Sequence, residues 1–305
     1  MLPHPYEVKS VTGYGVAMKG TRTTMQALVD RLLNCGKHEP HYYVVSPTVL
    51  CTFMRMGCME CAGHPQMGSF AERELNLTLL LAAVEGFSIR LVWYMPYLWL
   101  DSGPALIAGR DIYGFTKQIA KILIPKLGDP VELSAIGEVL PLANGLPAED
   151  KTIVSVSHKT KGLLEKKSDS TNMAEALSIL LKSVMEFEPE PIEQLALHLP
   201  AINLGNLRMA WMRQLPSISD FTKTCFRSVA EAPFSVTLRS AGLLAGNFEV
   251  SIPWYHSVRL VKELGLVDDH GNCTPDENLM TTARAAYHMD FDFILGKGQD
   301  LWVET

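Results

Sequence analysis

Lys117 stands among Ile112, Tyr113, Phe115, Ile119 and Ile122, an apolar setting for a side chain that could do chemistry. An amine attacks a carbonyl carbon only in its neutral form, and apolar surroundings favour that form by withholding water from the ammonium. The same residues admit a plainer reading, a solvated lysine paired with Lys121 at i+4 on a helix face, since lysine is almost never fully buried. Cys51, Cys58, Cys61 and His64 are residue types that zinc accepts, but no second knuckle accompanies them. Free, partly buried thiols are the preferred reading. Gly13, Gly15 and Gly20 lack the G-x-G-x-x-G spacing and no βαβ pattern surrounds them, so they read as turn glycines. The chain has no G-x-S-x-G elbow, no H-E-x-x-H pair and no Walker A sequence. No cofactor and no metal is expected.

The elements that must position Lys117 are legible upstream of it. From Glu74 the run Glu-Leu-Asn-Leu-Thr-Leu alternates strictly and stays apolar to Val84, as in a strand buried on one face and then on both. Glu85-Gly86 predicts a turn, and Ser88 to Leu100, rich in Ile, Val, Trp, Tyr and Leu, predicts the second strand of a hairpin. The chain then turns at Asp101-Ser-Gly-Pro104, a second apolar piece reaches Ala108, and Gly109-Arg110-Asp111 leads toward the lysine. Trp93, Tyr97, Trp99 and Tyr113 read as core or pocket wall, core being the default.

Elsewhere, Met25, Leu28, Val29, Leu32 and Leu33 predict a helix over 22–34. Asn172 and Glu175 form a capping-box pattern, and Met173, Leu177, Leu180, Leu181 and Val184 continue it as a helix up to Glu188-Pro. It follows a charged loop, Ser157 to Asp169, expected to be mobile. A further helix is expected after Ser251, with Pro253 at an early position, burying Val258, Val261 and Leu264 and ending at Gly265. Thr152–Val156, Phe234–Leu238 and Phe248–Ile252 read as short strands. Strands in clusters rather than βαβ alternation predict a β-rich α+β fold.

The composition narrows the class. The 305 residues, 47% hydrophobic and 20% charged, are those of an ordinary folded chain. Lys and Arg number 27 against 33 Asp and Glu, a net charge of −6, which argues against a nucleic-acid partner. The longest apolar runs, such as the ten residues Leu91–Leu100, fall short of the roughly 18 to 20 that a membrane-spanning helix needs. The first residues hold neither a basic nor an apolar leader, so a cytoplasmic location with the six cysteines as thiols is expected. No repeat is visible, and one domain over 1–305 is expected, with a helical insertion around 158–190.

The stretch from Leu100 to Lys117 resembles the acetoacetate decarboxylase family, whose members carry a strand ending in Asp, a proline-containing turn, a Gly-Arg-acid triplet and then the lysine. Here those parts are Leu100-Asp101, Pro104-Ala105, Gly109-Arg110-Asp111 and Thr116-Lys117. Phe70-Ala-Glu72, Arg213-Gln-Leu-Pro216 and Glu231-Ala-Pro233 extend the likeness, which covers about residues 15 to 260. Four positions depart from the family pattern. Gln118 replaces a second lysine and Thr116 a proline. Tyr14 falls near the place of an arginine associated with the substrate carboxylate, and Thr52 near the earlier of two pocket glutamates.

The resemblance implies an antiparallel sheet closed into a cone or barrel-like cavity with outer helices, a homo-oligomer, and a small-molecule carbonyl substrate. It makes Lys117 the Schiff-base nucleophile and Glu72 the proton donor or acceptor. Tyr113, Gln118 and Tyr14 become candidate substrate contacts, and Arg110 and Asp111 structural anchors of the turn. With Gln118 uncharged, desolvation by apolar neighbours must do most of the activation of the amine. The expected reaction is decarboxylation of a β-keto acid. The alternative is an aldolase-dehydratase or cyclase that uses the same imine without loss of CO2, and a third reading is a non-catalytic ligand-binding descendant.

Overall fold

The structure, a computed structural model, describes residues 4–37, 39–142, 145–172, 175, 207–220 and 222–304. Its strands are β1 (Tyr6–Lys19), β2 (His41–Val44), β3 (Thr48–Cys61), β4 (Ser69–Glu85), β5 (Ser88–Leu100), β6 (Lys117–Leu123) and β7 (Glu132–Val139). They continue as β8 (Glu149–His158), β9 (Arg208–Pro216), β10 (Thr224–Leu243), β11 (Phe248–Ile252), β12 (Leu279–Thr282), β13 (Ala285–Leu295) and β14 (Gln299–Glu304). The helices used below are α1 (Arg22–Leu32), α2 (Gly103–Ala108) and α3 (Leu260–Leu264). The protein is thus β-rich α+β.

Strand pairing runs β5-β9-β10-β13-β1-β3-β4, and the β4–β5 hairpin joins the two ends of that series into an irregular closed ring. The pairings are antiparallel except β5–β6 and β5–β9, which are parallel. Beyond β6 the sheet continues outward as β7, β8, β11 and β12. The largest apolar cluster lies between the outer face of the ring, this extension, and helices α1 and α3, with Leu75, Leu77, Trp99, Val29, Val154 and Leu264 among its members. Ring strands therefore have a core behind them and a cavity in front. That is why Glu74 to Ala83 of β4 are buried on both faces.

The predicted hairpin and short strands fall inside β4, β5, β8, β10 and β11, and the first helix is α1. The structure corrects or completes the readings of several segments. The helix expected after Ser251 is only α3, which starts at Leu260 and ends at Gly265, because Ser251 and Ile252 are still strand. The apolar piece before Ala108 is helical, capped by the Ser102 hydroxyl, which accepts from the Ala105 N–H at 3.5 Å. Lys117 begins a strand and not a helix, so no i+4 helical pair with Lys121 exists. The charged segment Ser157 to Asp169 makes isolated bridges, Leu163 with Pro130 and Lys166 with Leu244, and Ser170 just beyond it bridges Ala241. Residues 158–172 of the expected helical insertion hold no helix. The Glu175 N–H does bond Asn172 Oδ1 at 3.2 Å, as the capping pattern required. The remainder of that helix lies outside the described residues. Among the described residues no helix is long and apolar enough to cross a membrane.

Candidate active site

The ring encloses a cavity of about 260 Å³. Its walls are mainly methionine, phenylalanine and aliphatic side chains, and the charged groups lining it are Glu72, Glu74 and Lys117. Lys117 opens β6, where the Leu98–Lys117 register of the parallel β5–β6 pair turns its side chain inward. It is 7% exposed. Thr116, where the family pattern has proline, fixes the start of this strand by donating to the Pro96 carbonyl at 2.6 Å. The lysine stem lies along Gly109, whose missing Cβ would sit 2.6 Å from both Lys117 Cδ and Cε. Phe115 covers the ammonium from another side, its ring centroid 5.6 Å from Nζ.

Two carboxylates face the amine. Lys117 Nζ is 4.0 Å from Glu72 Oε1 and 4.0 Å from Glu74 Oε2. Both glutamates are on β4, two residues apart and so on the same face, and they are followed on that face by Asn76 and Thr78. The last three make a polar ladder: Thr78 Oγ1 donates to Asn76 Oδ1 at 2.9 Å, and Asn76 Nδ2 donates to Glu74 Oε1 at 3.0 Å. Neither Glu72 oxygen has a hydrogen-bond partner among the described residues. Burial pushes the Glu72 carboxyl up from 4.5 to about 7; Lys117 opposes the rise, while the charges of Glu74 and Asp101 add to it. Burial also raises Glu74, against the pull of Lys117 and of the Asn76 hydrogen bond. Two neighbouring acids thus have different tasks available: Glu74 is held by a donor, whereas Glu72 is free to give and take a proton near neutrality.

Across the cavity, Thr52 Oγ1 and Tyr287 OH share a hydrogen bond of 2.6 Å. Tyr287 reaches Thr52 by lying over Gly15, where a Cβ would come within 2.2 Å of its Cζ. Gly13 likewise lies inside β1, under Met289, so neither is the turn glycine expected from the sequence.

Of the candidate site residues, Lys117, Glu72 and Tyr113 meet at this cavity. Tyr113 packs against Trp211 and its hydroxyl donates to the Gly296 carbonyl at 3.0 Å, so it is as much a brace as a wall. Gln118 does not face the cavity: it follows an inward residue on a strand and is therefore exposed on the other side. Tyr14 does not face it either. Set between the inward-facing Gly13 and Gly15, it points to the main core. Arg110 and Asp111 are exposed, and the Arg110 side chain bonds to none of the described residues. The turn is instead held by backbone, with the Gly114 N–H bonding Gly109 O at 3.0 Å and Arg110 O at 3.1 Å. Asp111 contributes its carbonyl, which accepts from Arg213 Nη2 at 3.4 Å.

Sequence reasoning missed Glu74, Asn76 and Thr78 as cavity residues and placed Thr52 where a second glutamate was sought. The second cavity glutamate is Glu74. The signal was the alternation itself, Glu72-x-Glu74-x-Asn76-x-Thr78, whose polar face was not recognised as the lining of a closed ring. Trp93 lines the cavity, whereas Trp99 and Tyr97 belong to the main core and stack at 6.1 Å.

Residues 3–182 match the family model of acetoacetate decarboxylase (ADC). No curated relative matches the sequence. Among solved structures, the chain is similar to acetoacetate decarboxylase from Legionella pneumophila, with 12% identity, a TM-score of 0.57, and 98% of this chain and 88% of that one covered. The enduracididine biosynthesis enzyme MppR complexed with pyruvate is similar at 14% identity and TM-score 0.55, covering 99% and 92% of the two chains. An acetoacetate decarboxylase-like enzyme from Sphingomonas wittichii RW1 follows at 14% identity and TM-score 0.53, covering 97% and 92%.

Proposed function

Because the chain belongs to the acetoacetate decarboxylase family, we propose that it is a lysine-imine lyase in which Lys117 is the nucleophile and Glu72 the acid–base group. The observation that carries this reading is the pair of buried carboxylates 4.0 Å from Lys117 Nζ in an otherwise apolar cavity. The nitrogen lone pair attacks the carbonyl carbon while the C=O π pair moves to oxygen. Two proton transfers then release that oxygen as water. The balance is ammonium plus ketone giving protonated imine plus water. The imine next accepts the electron pair of a bond on the adjacent carbon, giving an enamine, and returns it when that carbon takes a proton or a second carbonyl carbon. Glu72, raised by burial to about 7, serves the proton transfers, and Glu74, held by Asn76, lies 4.0 Å from the nitrogen that carries the iminium charge. Tyr113 forms part of the wall against which the substrate packs.

Cyanoborohydride reduction in the presence of small ketones and aldehydes tests the reading. An adduct mapped to Lys117, and absent in Lys117→Ala, is the expected result. A folded protein that traps none of them speaks for a binding protein instead.

Decarboxylation of a β-keto acid and carbon–carbon chemistry without CO2 loss use the same imine. The second is favoured by one observation: among the described residues no arginine lines the cavity, and Gln118 lies outside it. A β-keto carboxylate would therefore enter a site whose other charges are two glutamates and the reacting lysine. Assay of CO2 release from 3-oxo acids separates the two reactions. A cytoplasmic, homo-oligomeric protein is part of the same proposal. Sedimentation at the 33.8 kDa mass of one chain would count against the assembly.

A further inference from the structure

We infer that the cavity takes an uncharged, chain-like carbonyl compound bearing a second oxygen function, with its carbonyl carbon at Lys117 and its second oxygen at the Thr52–Tyr287 hydroxyl pair. This inference rests on the imine reading and adds the class of substrate to it.

Charge supplies the first argument. The iminium formed at Lys117 carries one positive charge, and Glu74, 4.0 Å away, already meets it. A carboxylate on the substrate would be buried without a cationic partner other than the reacting lysine, which low-dielectric surroundings penalise. The wall supplies the second argument. Met54, Met56, Met95, Met209 and Met289 line the cavity together with Phe293. Unbranched thioether side chains of this kind adapt to an apolar chain and offer no donor to a carboxylate.

Register supplies the third. Tyr287 pairs with Gly15, Gly15 with Thr52, Thr52 with Asn76, Asn76 with Leu98 and Leu98 with Lys117 of the adjoining β6, so lysine and hydroxyl pair lie on one rung of the sheet. Three strand spacings of roughly 4.8 Å separate the Thr52 and Lys117 backbones, room for a chain between them. Two hydroxyls hold two protons, and the 2.6 Å bond between them uses one. The other proton has no acceptor among the described residues, although Thr52 is 6% and Tyr287 only 1% exposed. Buried hydroxyls normally satisfy such a donor, and an oxygen on the substrate would do so here.

Three methyl ketones of one length test this: 2-octanone, 8-hydroxyoctan-2-one and 7-oxooctanoate. Their carbonyls are electronically alike because they differ only at the far end of the chain. Trapping at Lys117 with cyanoborohydride is expected to be at least tenfold faster for the two neutral ketones than for the oxo acid. The hydroxy ketone should outpace octanone, and Tyr287→Phe or Thr52→Val should bring the ratio of those two, taken within each variant, to one. An oxo acid trapped as fast as octanone overturns the charge argument while the imine reading stands. A hydroxyl advantage that is absent, or that survives both substitutions, overturns the oxygen subsite. Binding of the three compounds to Lys117→Arg, which keeps the positive charge but forms no imine, read by intrinsic tryptophan fluorescence, is independent of imine chemistry: preference for the neutral pair supports the inference even if nothing is trapped, and no preference overturns it.

Discussion

Glu72 combines burial with the absence of a hydrogen-bond partner among the described residues, and that combination costs stability in return for a carboxyl that titrates near neutrality. Its native value of about 7 lies above the ordinary 4.5, so between those values the folded protein holds a proton that the unfolded chain has released. Stability should accordingly fall as pH rises through that window and be recovered on acidification toward 4.5. Glu72→Gln removes the penalty and is expected to raise stability at pH 8 by about 1–3 kcal/mol in urea unfolding, while slowing turnover of a trapped ketone at least tenfold. A pH–rate profile should lose its limb near 7 in the same variant, and an unchanged limb would assign it to another group. Gly109 makes the opposite case. Its φ of −67° and ψ of −41° are helical, so alanine suits the backbone. The added Cβ would nevertheless collide with the Lys117 stem. Gly109→Ala is expected to leave the melting temperature within a few degrees of wild type and to lower adduct formation at Lys117 at least tenfold.

At the scale of elements, β4 explains both what the sequence discloses and what it conceals. The alternation from Glu74 marks a strand, and the apolar Leu75, Leu77 and Leu79 mark one buried face, because pleating alone separates the two sets. What alternation does not disclose is whether the polar face meets water or a closed ring, since that depends on β5 pairing with both β4 and β9, far apart in sequence. Lys117 was legible for the complementary reason: its neighbours Phe115, Ile119 and Ile122 and the motif from Leu100 are local. Tyr14 and Gln118 were misplaced because strand phase decides which residues look inward, and a shift of one residue reverses it. The β1 glycines lacked a local signal. Gly15 is required by the ring of Tyr287, from a strand more than 250 residues downstream, lying across it. Gly15→Ala is expected to cost about 1–3 kcal/mol by overpacking and to abolish the preference for the hydroxy ketone by moving Tyr287 off Thr52. Thermal denaturation and within-variant trapping ratios check the two effects separately.

Over the whole molecule, a ring with a cavity inside and its main core outside must be held closed from behind, and a buried ion cluster does this beside β5, the strand that also carries β6 and Lys117. Glu231 of β10 is fully buried. It accepts from Tyr42 OH of β2 at 2.6 Å, from Arg208 Nε of β9 at 2.6 Å and from Arg90 Nη2 of β5 at 3.1 Å. One carboxylate thus joins four strands, among them β5 and β10, the two neighbours of β9 in the ring. Such a cluster contributes little net energy relative to an apolar replacement, because desolvation of its members offsets their attraction. Removing the single anion is different, since two guanidinium groups, each about a quarter exposed, would then face each other with Glu85, which bonds Arg90 Nη1 at 3.1 Å, as the remaining nearby counter-charge. Glu231→Gln keeps the shape and one acceptor oxygen but loses the charge, and is expected to destabilise the fold by roughly 3–5 kcal/mol in chemical denaturation. Glu231 does not line the cavity. Ketone trapping per folded molecule should therefore stay within twofold of wild type below the unfolding transition. A variant with near-native stability would mean that the cluster does not clamp the ring. One that stays folded but no longer forms the Lys117 adduct would mean that the cluster sets the Leu98–Lys117 register, on which the inward course of the lysine depends.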